Sequence, residues 1–158
     1  MADIGIGTPA PDFDLPRDGG DRVKLGDFQG KPLVLYFYPK DDTSGCTTEA
    51  INFTALSNEF AKVGATVVGV SPDSPSCHDK FKKKHSLSVI LASDEDKKML
   101  EAYGVWKEKS MYGRTYMGVE RTTFLIGPDG KIAVIWNKVK VPGHAEAVLE
   151  AVRSLGNA

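Results

Sequence analysis

Two short, unbroken apolar runs constrain the fold of this chain more than any other feature. Lys31 to Tyr38 contains the run L-V-L-Y-F-Y, and Thr66 to Ser71 reads T-V-V-G-V-S. A run that stays apolar instead of alternating is typical of a β-strand covered on both faces. Between the runs, about Thr43 to Val63 keeps apolar residues at helical spacing, and Gly64 is placed to end that helix. Strand, helix and strand in this order predict a parallel pair with a helical crossover.

The remaining segments extend this unit at both ends. Residues 12–28 alternate around D-G-G-D, which predicts an N-terminal β-hairpin extension. Residues 106–120 are polar and punctuated by glycine, so we expect a long loop there. The other expected elements, in chain order, are a helix to about Lys84, a strand over 89–92, a helix ended by Gly104, strands over 122–126 and 132–137 joined by G-P-D-G, and a helix over 144–155. We therefore predict an α/β fold in one domain over residues 1–158, with a central mixed sheet flanked by helices.

Composition excludes several classes of protein. The formal net charge of -1 gives no field that would recruit nucleic acid or an anionic membrane. No apolar run is long enough to span a bilayer, and residues 1–7 lack the basic and apolar regions of a leader, so we expect a cytoplasmic protein. Two cysteines, Cys46 and Cys77, do not make a secreted disulfide framework. A catalytic or redox role is then more plausible for at least one thiol.

Cys46 lies where the predicted helix begins, just after the first apolar strand. There it faces unpaired backbone N–H groups and the positive end of the helix dipole, and both favour thiolate over thiol. The dipole contributes roughly 0.3 to 1 kcal/mol, less than the 1.36 kcal/mol that corresponds to one pKa unit. A nearby cation is therefore expected to supply the larger share of the activation.

The residues around Cys46 resemble a known family. Pro39, Thr43 and Cys46 have the spacing P-x-x-x-T-x-x-C of the peroxiredoxins, within the string Y-P-K-D-D-T-S-G-C-T-T-E-A. This string, with V-S-P-D-S-P and E-R-T-T-F-L-I-G-P-D-G-K-I further along, is similar to the bacterioferritin-comigratory-protein (PrxQ) branch. The resemblance implies a thioredoxin-like fold and antioxidant, thiol-dependent reduction of hydrogen peroxide and organic hydroperoxides. It also implies a monomer that needs no metal, flavin or haem.

The resemblance implies roles for four residues, and helical spacing adds a fifth. Cys46 would attack the peroxide, Arg121 would hold the thiolate and polarise the peroxide, Thr43 would hydrogen-bond the peroxide, and Pro39 would shield the thiolate. Glu49 lies three residues after Cys46 and so over the same helix face, where it could pair with Arg121.

The second half of the reaction stays open at this point. Peroxide attack converts Cys46 to a sulfenic acid, which must condense with another thiol. The resemblance places a resolving cysteine at Ile51 or near Lys82, but neither residue is cysteine. One hypothesis is a two-Cys enzyme resolved by Cys77, about one helical turn before Lys82. The other is a one-Cys enzyme resolved by thioredoxin or by a small-molecule thiol.

Two other functions compete with a peroxidase. A thioredoxin-like disulfide oxidoreductase needs C-x-x-C, but Glu49 stands at the fourth position. A redox-regulated holdase needs an exposed apolar stretch, and none is evident. His78, His85 and His144 are scattered without ligand spacing, so we expect them on the surface or at helix caps rather than in a metal site or a Cys–His pair.

Overall fold

The computed structural model describes residues 4–156, so the outer ends of the predicted domain, residues 1–3 and 157–158, lie outside the described residues. The strands are β1 (Asp14–Pro16), β2 (Arg22–Lys24), β3 (Leu33–Phe37), β4 (Thr66–Ser71), β5 (Ile90–Ser93), β6 (Trp106–Met111), β7 (Arg114–Val119), β8 (Thr122–Ile126) and β9 (Ile132–Trp136). The α-helices are α1 (Ser44–Ala55), α2 (Ser57–Lys62), α3 (Pro75–His85), α4 (Lys98–Ala102) and α5 (His144–Gly156). Short 3-10 turns over Asp18–Gly20 and Leu25–Phe28 complete the N-terminal hairpin region.

The central sheet is mixed, as predicted. Its strand order is β5-β4-β3-β8-β9, with β3 parallel to β4 and β4 parallel to β5. The strands β8 and β9 continue the sheet in antiparallel pairing on the other side of β3. The predicted N-terminal hairpin is also present, because β1 pairs with β2 outside this sheet.

The central strand β3 is buried along its whole length, which explains its unbroken apolar sequence. Val34 and Tyr36 point to one face, where they pack with residues of α1, α2 and α5. Leu35 and Phe37 point to the other face, where they pack with α4 and the N-terminal hairpin. Both faces of β3 are therefore filled, and the chain leaves this strand through the polar segment that leads to α1.

Two sequence predictions about the elements need correction. The helix expected from Thr43 to Val63 is two helices, because the backbone at Leu56 leaves helical geometry at ψ 8°. The loop expected over residues 106–120 is the antiparallel hairpin β6–β7. Its turn residues Tyr112 and Gly113 both have positive φ, of 53° and 76°, the geometry of a type I′ hairpin turn. The hairpin exposes the side chains of Tyr112, Tyr116 and Met117.

Among residues 4–156, no helix is long and apolar enough to cross a bilayer. The longest is α5, which has 13 residues and carries charged side chains.

Candidate active site

Cys46 lies in the first turn of α1, at the end of the sheet where β3 finishes. Its side chain is buried, with 1% of the residue exposed. Helix α1 begins after Thr43, whose carbonyl accepts from the Thr47 N–H at 2.8 Å. The first N–H groups of a helix have no partner within it, so they create a positive environment for the Cys46 sulfur.

Arg121 reaches Cys46 from the neighbouring strand. It immediately precedes β8, and the antiparallel register pairs Thr122 with Phe37, the last residue of β3. That pairing places Arg121 at the same end of the sheet as the start of α1. Arg121 Nη2 donates to Cys46 Sγ at 3.2 Å, and Nη1 donates to Glu49 Oε1 at 2.6 Å. One guanidinium therefore joins the thiol and the carboxylate.

The charges of this cluster affect one another. Burial raises the pKa of Glu49 to about 7, although the nearby Arg121 acts in the opposite direction. For Arg121, burial lowers the pKa, but the negative groups Glu49 and Cys46 outweigh that effect and raise it above its ordinary value. Arg121 consequently stays a cation, and Glu49 exchanges its proton near neutral pH.

Thr43 and Pro39 lie on the segment between β3 and α1. Thr43 occupies the N-cap position of α1, but its side chain makes no capping hydrogen bond. Its Oγ1 donates instead to the Lys40 carbonyl at 2.9 Å, which leaves the oxygen able to accept a hydrogen bond. Pro39 is half-buried and follows the last buried residue of the strand run, Tyr38.

Tyr36 packs beneath α1, and sequence reasoning missed it as part of the site. It is fully buried and stacks on Phe53, with ring centroids 4.8 Å apart. Burial and the negative groups Glu49 and Cys46 raise its pKa well above the usual value, so it stays a neutral phenol. The ring fits only because β4 has a glycine opposite it: a Cβ on Gly69 would lie 2.6 Å from Tyr36 Cζ.

Cys77, the other cysteine, is not linked to Cys46 by a disulfide bond. Both cysteines are free thiols, Cys46 buried and Cys77 exposed. Cys77 is in the first turn of α3, where its N–H donates to Ser74 Oγ at 3.2 Å. It borders a cavity of about 210 Å³ whose lining includes Lys80 and Lys84.

The histidines correct another expectation, because two of the three are buried. His78 is fully buried and His144 is 7% exposed. His144 Nε2 lies 2.8 Å from Thr123 Oγ1, and burial together with the charge of Arg121 lowers its pKa to about 4. Only His85 lies near the surface, paired with Asp42. Among residues 4–156, no group of three or more His, Cys, Asp or Glu side chains is arranged to hold a metal ion.

Comparisons with known proteins agree across almost the whole chain. A sequence model described as the AhpC/TSA family matches residues 6–135. Peroxiredoxin Bcp of Bacillus subtilis is 49% identical over 152 residues, which cover 96% of this chain and 97% of that protein. A structure of the Xanthomonas campestris bacterioferritin comigratory protein, from work on its alkyl peroxide reduction activity, has a TM-score of 0.90 at 44% identity and covers 96% of this chain and 99% of that one. A Cys-to-Ser mutant of Xylella fastidiosa PrxQ has a TM-score of 0.91 at 42% identity, with 98% of each chain covered.

Proposed function

This chain belongs to the AhpC/TSA family and is a thiol-dependent peroxidase with the thioredoxin-like peroxiredoxin fold, and we propose that Cys46 is the thiolate that attacks the peroxide. One observation carries this assignment: the Cys46 sulfur accepts from the Arg121 guanidinium at 3.2 Å in the first turn of a helix. The family does not favour the disulfide oxidoreductase or the redox-regulated holdase, and Glu49 replaces the second cysteine that the oxidoreductase would need.

The reaction at Cys46 is a nucleophilic displacement on oxygen. The thiolate attacks one oxygen of the peroxide, the O–O bond breaks, and the attacked oxygen stays on sulfur as a sulfenic acid. The other oxygen leaves as water or an alcohol after it takes up a proton. Sulfur itself supplies the two electrons, so the step needs no metal, flavin or haem.

Arg121, Thr43 and Pro39 support this displacement. Arg121 is a permanent cation with several donors in a plane, so it stabilises both the thiolate and the charge that develops on the peroxide oxygens. Thr43 Oγ1 already donates to the Lys40 carbonyl, so its lone pairs accept from the peroxide O–H. Pro39, which is half-buried, would shield the thiolate from water, as the family resemblance implies.

Glu49 orients Arg121. Its carboxylate accepts from Nη1 at 2.6 Å, and its side chain is only 1% exposed, so water competes little for this pair. With Nη1 fixed on Glu49, the planar guanidinium directs Nη2 to the Cys46 sulfur. Glu49 is therefore a positioning residue, while Cys46, Arg121 and Thr43 contact the reacting atoms.

The substrates are hydrogen peroxide and organic hydroperoxides. The alkyl peroxide reduction activity named for the Xanthomonas campestris relative supports the second class. We also propose a monomer as the active unit, as the family resemblance implies. We place the enzyme in the cytoplasm, where reduced thiols are available, with no role for nucleic acid or membrane.

An external thiol, thioredoxin or a small molecule, resolves the sulfenic acid. Ile51 and Lys82 occupy the positions at which resolving cysteines were expected from the family resemblance. Cys77 lies on a turn of α3 that Ser74 caps, and Cys46 is buried. A bond between them would need their Cα atoms within about 7 Å and would require the buried Cys46 sulfur to become accessible.

Intact-mass analysis after one equivalent of peroxide tests this route. The proposal predicts a wild-type mass increase of one oxygen and continued turnover of Cys77→Ser with dithiothreitol. The opposite result would be a wild-type mass lower by two hydrogens, as for a disulfide, with no such loss in Cys77→Ser. If Cys77→Ser also stopped after one turnover, resolution would be assigned to Cys77.

A further inference from the structure

A second buried polar cluster adjoins the Cys46 segment and has no part in the reaction described above. Its centre is the Asp41 carboxylate, on the segment between β3 and α1. Asp41 Oδ2 lies 2.7 Å from His78 Nδ1, and Asp41 Oδ1 accepts from the Tyr38 hydroxyl at 2.6 Å. The side chain of His78 is 0% exposed and that of Asp41 is 6% exposed, so water does not compete for this pair.

The His78 ring is fixed from both sides. Its Nε2 lies 3.0 Å from the carbonyl oxygen of Ala92 in β5. A carbonyl oxygen only accepts, so Nε2 carries a proton, and a second proton lies between Nδ1 and the Asp41 carboxylate. The ring thus connects a strand of the central sheet to the segment that leads to Cys46.

The backbone of Asp41 is held by the same part of the chain. Its N–H donates to Asp73 Oδ2 at 2.8 Å, and that oxygen also accepts from Ser71 Oγ at 2.7 Å. The segment from the end of β4 to α3 therefore binds Asp41 through both its backbone N–H and its side chain. The position of Asp41 is set by α3 and the sheet rather than by α1.

A short covalent path leads from Asp41 to the peroxide site. The preceding residue, Lys40, presents the carbonyl that accepts from Thr43 Oγ1 at 2.9 Å. The following residue, Asp42, has φ 61° and turns the chain back toward Thr43. A shift of Asp41 consequently moves the Lys40 carbonyl and, with it, the hydroxyl of Thr43 at the start of the Cys46 helix.

We propose that His78 is a positioning residue for peroxide attack: through its buried bond to Asp41, it holds the Lys40 carbonyl that orients the Thr43 hydroxyl beside Cys46. The inference rests on the proposed roles of Cys46 and Thr43 and adds a residue from a different helix to them. Misplacement of a reacting group by about 1 Å can cost up to about a hundredfold in rate.

Two amide variants of His78 separate its two bonds. An Asn side chain places its amide near the position of Nδ1, so His78→Asn keeps a donor to Asp41 and loses the bond to Ala92. A Gln side chain reaches the position of Nε2, so His78→Gln keeps the bond to Ala92 and leaves Asp41 without this partner. Asp41→Asn weakens the same pair from the other side and decides the question if His78→Gln does not fold.

The rate of sulfenic acid formation with hydrogen peroxide is compared with the rate of Cys46 alkylation by iodoacetamide in Cys77→Ser backgrounds. Alkylation needs the thiolate but not the Thr43 hydroxyl, whereas general loosening of the fold would expose Cys46 and change both rates. We expect His78→Gln and Asp41→Asn to lower the peroxide rate about tenfold or more, with alkylation within about twofold of wild type. We expect His78→Asn to stay within about threefold.

Two controls make the outcome decisive. His85→Gln changes the histidine that pairs with Asp42 near the surface and leaves both rates unchanged. Cys46→Ser abolishes the peroxide reaction; if wild type reacted no faster than this variant, the proposed function itself would fail. Three other outcomes would overturn the role of His78 while leaving the proposed function intact. The first is a peroxide rate in His78→Gln equal to that of a fast wild type, and the second is an equal loss of that rate in His78→Asn and His78→Gln. The third is a parallel change of the peroxide and alkylation rates.

Discussion

Arg121 donates from Nη2 to the sulfur of Cys46 at 3.2 Å, although 75 positions separate the two residues in the chain. The contact depends on the antiparallel pairing of β8 with β3, which brings the start of β8 to the start of α1. Since the same guanidinium also binds Glu49, the thiol shares its cation with a buried carboxylate.

Removal of the Arg121 cation is expected to slow the reaction without unfolding the protein. Arg121→Ala takes away the donor to the thiolate and to the peroxide, and loss of one such donor typically costs about 10²- to 10³-fold. Stopped-flow measurement of peroxide reduction checks the rate, and circular dichroism checks the fold. Arg114→Ala, on the exposed β6–β7 hairpin, is the matched control. Alkylation of Cys46 at pH 7 that is equally fast in Arg121→Ala and wild type would count against the role of the cation.

Glu49 is expected to make stability fall as pH rises toward neutrality. Its pKa is about 7 in the folded state, with burial as the main cause, against a reference value of 4.5. Between these values the folded state holds a proton that the unfolded chain has lost, so the free energy of unfolding decreases with rising pH. Relative to Glu49→Gln, wild type should lose on the order of 3 kcal/mol between pH 5 and pH 8 in urea unfolding. The exposed Glu150→Gln should not alter the slope, and parallel pH curves for wild type and Glu49→Gln would refute the assignment.

His144 is expected to make stability fall as pH decreases, opposite to the effect of Glu49. Burial, and then the charge of Arg121, lowers its pKa to about 4 from 6.5. The folded state therefore binds fewer protons than the unfolded chain in this range, so the stabilisation is complete above pH 6.5 and is lost as pH falls toward 4. Compared with His144→Gln, wild type should lose on the order of 3 kcal/mol between pH 7 and pH 4. His85→Gln is the control. If His144→Gln lost as much stability between pH 7 and pH 4 as wild type, another group would be responsible for the loss at acid pH.

Gly69→Ala is expected to disturb the packing beneath Cys46. The added Cβ would lie 2.6 Å from Tyr36 Cζ, so the ring or the strand must shift. Overpacking of this kind costs about 1 to 3 kcal/mol. Thermal unfolding should show that loss, while Gly26→Ala, whose Cβ would meet nothing within 4 Å, should not. Equal melting temperatures for the two variants would mean that the Tyr36 ring can shift to accept the added Cβ without loss of stability.

The sequence predicts the centre of the fold well because local pattern and burial agree there. The expected strands over 66–71 and 122–126 match β4 and β8 exactly in their bounds. Helical spacing likewise placed Glu49 on the Cys46 face, where it contacts Arg121. The β6–β7 hairpin was missed because its exposed strands carry polar and charged residues on both faces, which removes the alternation that marks a half-buried strand.

The buried histidines were also beyond sequence reasoning, for a different reason. A single histidine is buried only when a partner satisfies its ring, and those partners are remote in sequence: Asp41 for His78, 37 positions away, and Thr123 for His144, 21 positions away. No local pattern reports such a pair. Tyr36 was similarly hidden, since its place beneath Cys46 depends on the absence of a side chain at Gly69 in the adjacent strand.

Hydrogen peroxide consumption with dithiothreitol or thioredoxin as the electron donor tests the central claim most directly, when wild type is compared with Cys46→Ser. The proposed chemistry predicts rapid, repeated turnover by wild type and none above background by Cys46→Ser, with Cys77→Ser still active in dithiothreitol. Consumption by wild type that is no faster than that of Cys46→Ser would contradict it.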